Sequence, residues 1–169
     1  MKKILSIVTV IAIIAMMSTG MCFAATQDVP VKLTAPAISD SGIDFSVNAE
    51  GIKATATAGS TVLTYDDLKI TNNATVGQIK LDSVSATAET GWALHADDAD
   101  YFKALKADTK EFSMVTEGQD LSAGAKTYTD NKIAAGAEIT VSFTGNIGTF
   151  TTAIAGTQIA KVVPTVSIF

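Results

Sequence analysis

Short runs of alternating apolar and polar residues, broken by Gly, Asn and Asp, fill most of the chain beyond residue 25. Val29, Val31 and Leu33 alternate with Pro30 and Lys32. Ile43, Phe45 and Val47 alternate with Asp44, Ser46 and Asn48, and Ile52, Ala54 and Ala56 with Lys53, Thr55 and Thr57. A period of two sends successive side chains to opposite faces of a strand, so each run predicts a strand with one face on a core. Ala49-Glu50-Gly51 separates the second and third runs and predicts a hairpin, with Gly51 supplying positive φ. Val62 to Tyr65 and Leu68 to Thr71 follow, parted by Asp66-Asp67. Later runs lie at Phe112 to Thr116, Ile139-Val141-Phe143, Thr149 to Ile154 and Ile159 to Ile168.

The long run from Gln78 to Ala88 changes phase. Ile79 and Leu81 share one face, and Val84, Ala86 and Ala88 share one, but three residues separate Leu81 from Val84. A strict period of two would turn the second group outward. An extra residue in the strand near Asp82-Ser83, a β-bulge, restores the phase, which then runs on through Trp92 to Leu94. The stretch Asp97 to Asp108 departs from the β pattern: Phe102 and Leu105 lie three apart, and Asp98 or Asp100 can cap a helix start. The pattern predicts an all-β chain, an antiparallel β-sandwich of roughly eight to ten strands with one short helix over an end of it.

The first 24 residues follow another logic. Lys2 and Lys3 precede an apolar stretch from Ile4 to Met17, then small and polar residues lead to Cys22-Phe23-Ala24. This is the layout of a secretory signal peptide, and its apolar core falls short of the about 20 residues a membrane span needs. Cleavage is expected after Ala24, leaving residues 25–169 as one domain of a secreted, extracellular chain. Met21 before Cys22 is not the small residue a lipid-attachment signal calls for. Loss of residues 1–24 removes two lysines and no acid, so ten Lys face seventeen Asp and Glu for a net charge of −7, with no Cys and no Arg. Stability then rests on an ordinary core rather than on disulfides. The acidic balance speaks against nucleic acid, and the absence of Arg against bidentate phosphate or carboxylate recognition.

Few residues offer chemistry. His95 is the single histidine; a triad needs a nucleophile beside it and a zinc site needs further N or S ligands. Asp97, Asp98 and Asp100 cluster as oxygen ligands for calcium would, but Phe102 and Lys103 break the order of a calcium loop. Glycoside hydrolysis needs two opposed carboxylates, a pattern the chain lacks. No catalytic residue, metal or cofactor is expected. Asn73-Ala74-Thr75 matches the N-glycosylation pattern, a chance match in a chain whose signal peptide looks bacterial. Phe169 ends the chain as in outer-membrane barrel strands, yet Ser167, Thr165 and Lys161 occupy the face that lipid would cover. The single Trp, Trp92, reads either as the plug of a core or as a binding platform. In the second case Trp92, Tyr101 and Tyr128 are the candidate residues of a shallow ligand site.

Taken together, the "IDFSVNAEG" start, the Asn72-Asn73 turn, Gly91-Trp92-Ala93-Leu94, the acidic-to-lysine helix and the last strand "IAKVVPTVSIF" resemble small secreted surface proteins of Gram-positive, clostridia-like bacteria. Trp92-Ala93-Leu94 is similar to the Trp-x-Leu element of WxL-domain cell-surface proteins. The resemblance implies non-covalent association with the cell wall. The expected role is structural or adhesive and without catalysis, the partner being the chain itself, through strand addition, or a cell-wall polymer. The alternative is a module that binds wall polymer or glycan.

Overall fold

The computed structural model describes residues 26–33, 44–57, 59–151 and 157–169. The signal-peptide reading of residues 1–24, the pattern position of Ile43 and the second half of the run at Thr149 to Ile154 lie outside these residues.

The strands are β1 (Thr26–Leu33), β2 (Phe45–Val47), β3 (Ile52–Thr57), β4 (Val62–Tyr65), β5 (Leu68–Asn72), β6 (Gln78–Ala88), β7 (Ala93–Leu94), β8 (Glu111–Phe112), β9 (Val115–Thr116), β10 (Gln119–Asp120), β11 (Lys126–Thr127), β12 (Lys132–Ala134), β13 (Glu138–Val141), β14 (Thr144–Asn146) and β15 (Ala160–Ile168). One six-residue helix, α1 (Ala99–Ala104), and a 3₁₀ turn at Leu121–Ala123 complete the described elements. The fold is all-β and sandwich-like. A ten-stranded sheet runs β10-β9-β14-β4-β3-β1-β15-β6-β11, with β12 also on β6; a second sheet runs β13-β5-β2; β7 and β8 form a parallel pair.

Strand β1 joins the two halves of the large sheet. From Thr26 to Val31 it pairs antiparallel with β3, and at Lys32–Leu33 it pairs in parallel with Lys161–Val162 of β15. The alternation reads out as burial: Ile52 and Ala54 are buried while Lys53 is exposed, and Leu68 and Ile70 are buried while Lys69 is exposed. Both sheets feed one apolar core that includes Val31, Ile52, Leu63, Leu68, Ile70, Leu81, Val84, Ile133 and Val162. Each such aliphatic side chain removed from water contributes about 1.5–3 kcal/mol.

The phase change in β6 is a bulge. Thr165 faces Ser83 and the next residue, Val166, faces Leu81, so Asp82 is the extra residue. Leu81 and Val84 are both fully buried as a result. The main chain of Asp82 is used rather than lost, since its carbonyl accepts from Tyr128 N at 2.9 Å.

Three expectations need correction. Gly51 does turn the chain, with φ 80° and its N–H on Asn48 O at 3.2 Å, but β2 and β3 do not form a hairpin. β2 pairs with β5, and β3 pairs with β1 and β4, so the turn hands the chain from one sheet to the other. Asp66-Asp67 makes a similar passage between β4 and β5, and the carbonyl of Asp67 accepts from Asn48 Nδ2. The phase of β6 also stops at Ala88. A turn at Glu89–Gly91 follows, closed by Trp92 N on Glu89 O at 2.9 Å, and Trp92 lies outside any strand. The run Phe112 to Thr116 is likewise broken at Ser113-Met114, where the chain leaves β7 for β14 and β10.

Candidate functional site

The chemistry-bearing side chains gather at the corner where β7, α1, β8 and β9 meet β14. Gly91, at φ 85°, allows the turn that delivers Trp92. The indole is half-buried, edge-on to Phe112 with ring centroids 6.3 Å apart, and tilted against Phe150 at 5.8 Å. Ala93 N donates to Lys110 O and His95 N to Phe112 O, which lays β7 alongside β8. Asp98 caps α1 by accepting from the N–H of Asp100 and Tyr101. The helix buries Phe102 and leaves Tyr101 half-buried.

Tyr101 is engaged on two sides. Its ring stacks on His95 at 4.0 Å and 6°, and its hydroxyl donates to the Glu111 carboxylate. That hydrogen bond holds the phenol pKa above its usual value, with partial desolvation and the charge of Glu111 adding to it. The imidazole Nδ1 of His95 sits 3.3 Å from Ala96 O.

Asp97 ties the corner to the large sheet. Its Oδ1 accepts from the Ser113 hydroxyl and from Asn146 Nδ2 at 2.8 Å, and its N–H donates to Asp120 Oδ2 at 2.7 Å. Ser113 is fully buried; its Oγ accepts from Asn146 N at 2.7 Å, and its carbonyl accepts from Tyr65 Oη at 2.7 Å. Burial first, and then the nearby charge of Asp97, push the Tyr65 phenol well above its usual range. Gly145 makes this crossing feasible, because a Cβ there would meet Ser113 O at 2.1 Å. Asp120 caps the 3₁₀ turn by accepting from Ser122 N at 2.8 Å. Burial would raise its pKa, but hydrogen bonds from Asp97 N and Ser122, with His95 nearby, hold it below the usual value.

No protein-family model matches this chain, and no curated protein or solved structure matches it. The Ser113 proton points to a carboxylate rather than an imidazole, and each acid of the Asp97-Asp98-Asp100 cluster has its own task. Asp97 holds Ser113 and Asn146, Asp98 caps α1, and Asp100 meets Lys103 at 3.1 Å on the surface. Among the described residues no group of three or more His, Asp and Glu is placed to hold a metal ion.

Of the three candidate ligand residues, Trp92 and Tyr101 share this corner, one against Phe112 and the other on Glu111. Tyr128 lies elsewhere, just after β11 on the flank of β6, and is only 8% exposed. Its hydroxyl and that of Thr116 are both buried without a hydrogen bond of good geometry. Burial raises the Tyr128 pKa, the neighbouring Thr116 hydroxyl opposes the rise, and Glu117 adds to it. Ser113, Asn146, Asp120 and Gly145 escaped the sequence reading. Asp120 alone had a local signal, a cap position two residues before Ser122.

Proposed function

We propose that this is a secreted, non-catalytic extracellular protein with a structural or adhesive role, acting by self-association or by association with the cell wall of a Gram-positive bacterium. What supports the reading is the use made of the polar side chains at the corner. Ser113, Asp97, Asn146, Asp120 and Tyr101 each bind another part of the protein and join the loop 95–98, α1 and the large sheet into one block. The signal-like N-terminal segment and the resemblance of Trp92-Ala93-Leu94 to the WxL element point to the cell surface.

A second reading, a module that binds wall polymer or glycan, is favoured by a row of threonines. Thr55, Thr64 and Thr144 stand in register across β3, β4 and β14, with Thr64 and Thr144 exposed. Ultracentrifugation of purified residues 25–169, with and without Gram-positive cell walls, tests both. Pelleting without walls supports self-association, and pelleting only with walls supports the binding module. A chain that stays in the supernatant both times refutes both.

A further inference from the structure

The three-stranded sheet ends on β13, and among the described residues no strand pairs with its outer side. Ladder parity says which main-chain groups face that side. Residues opposite one another in an antiparallel pair alternate between exchanging hydrogen bonds and turning away. Asn72 N donates to Ala137 O at 2.9 Å, and Ile139 faces Ile70 two residues further along. Lys69, opposite Thr140, sends its N–H the other way, to Asn48 Oδ1 beside β2 at 2.6 Å. The N–H and C=O of Thr140, and by the same alternation those of Glu138, therefore point outward from the sheet.

The side chains of this edge complement themselves. Ile139 is half-buried against the core, while Glu138 and Thr140 are exposed. If a second β13 lies antiparallel with a two-fold axis at Ile139, Glu138 of one copy meets Thr140 of the other. The two residues exchange hydrogen bonds, and symmetry repeats the exchange. Each carboxylate then faces a threonine rather than a carboxylate, and it is already countered within its own copy by Lys69 Nζ at 3.5 Å. Ile139 meets its own symmetry mate and is covered. Two-fold contacts of this isologous kind are the commonest in soluble oligomers.

We infer that the β13 edge is a homodimer interface that joins two three-stranded sheets through antiparallel pairing centred on Ile139. The inference rests on the self-association reading and names the surface that carries it.

Two measurements on residues 25–169, which hold no cysteine, test it. The first is position-specific crosslinking. Opposed residues that do not exchange hydrogen bonds have Cα atoms about 4.5 Å apart, within disulfide reach. Ile139→Cys is expected to form a disulfide dimer about tenfold faster than Thr140→Cys, whose symmetry mate lies off the axis. Equal rates overturn the register. The second is sedimentation velocity of wild type against Thr140→Pro, which removes only an outward N–H and so suits an edge strand. Dimerisation lost in Thr140→Pro with an unchanged melt supports the edge. Association that survives the substitution overturns the edge and leaves the self-association reading standing. A wild-type chain that is monomeric at every concentration overturns both.

Discussion

Replacing Asp97 by Ala tests whether the polar corner holds the fold together. The substitution removes the acceptor of the Ser113 hydroxyl and of Asn146 Nδ2 and leaves the Asp97 N–H on Asp120 in place. A hydrogen bond to a charged acceptor contributes about 1.5–3 kcal/mol, and a buried hydroxyl left without a partner costs about 1–3 kcal/mol. Ser113 is fully buried but Asp97 is exposed, so water can reach part of the gap and replace the Asn146 contact. The expected loss is therefore near the lower bound, about 1.5–2 kcal/mol. For a chain of this size that is a fall of roughly 3–8 °C in Tm. Asp97→Asn keeps an acceptor oxygen without the charge and should recover about half of the loss. Urea unfolding followed by Trp92 fluorescence measures each variant, and a double-mutant cycle with Ser113→Ala isolates the pair. A coupling of about 1 kcal/mol or more is expected, because the two side chains touch. Singles that add within about 0.3 kcal/mol, or an Asp97→Ala loss below about 0.5 kcal/mol, would refute the reasoning.

Other predictions follow from the same geometry. Trp92→Ala should cost about 2–3 kcal/mol in chemical denaturation, less than the about 3–5 of a fully buried aromatic, because the indole is half-buried and leaves no closed cavity; a loss under about 1 kcal/mol would mean the ring is a surface feature. Gly145→Ala should destabilise more than any exposed-position Ala variant, since its Cβ would strike the Ser113 carbonyl at 2.1 Å, and a thermal melt equal to wild type would contradict the close crossing. Acid should unfold the chain through three carboxyls whose pKa values lie below the usual one. Asp82 is lowered mainly by the Ser167 hydroxyl and Asp108 mainly by Thr151; Asp120 is lowered by hydrogen bonds that outweigh its burial. Their contribution is complete above the unfolded value of about 3.9 and is lost as pH falls through the lower folded values. Tm should thus hold near pH 5–6 and drop below about pH 4, and a Tm unchanged down to pH 3 would be incompatible with it. At the alkaline end the sign reverses in pH: the raised phenols of Tyr65, Tyr101 and Tyr128 favour the protonated fold, so stability falls as pH rises above about 10.

What a period of two conveys is the face of a strand, not its partner. That is why the bulge at Asp82 was legible from the spacing of Leu81 and Val84, both of which must reach the same core. It is also why a cap at Asp98 or Asp100 was legible, since a cap acts within a few residues of itself, and the structure uses Asp98. The β2–β3 hairpin failed for the complementary reason. Gly51 makes the turn, but a turn between two strands does not oblige them to pair, and Asp44, Phe45 and Val47 find Asn73, Asn72 and Ile70 instead. The β6 phase, extended through Glu89-Thr90-Gly91, would put Trp92 on an inward face, but these three residues reverse the chain. Its ring still meets the core, because the turn returns it to Phe112 and Phe150 rather than because the phase persists. The polar corner was the least legible part. Asp97, Ser113 and Asn146 lie 16 and 33 residues apart along the chain, and nothing in their neighbours marks them as partners. Only the sheet order, with β14 between β9 and β4, brings Ser113 against Gly145 and gives Asp97 two donors. In this chain the alternation sets which side chains are buried, and the order of strands decides what the buried and half-buried polar groups hold together.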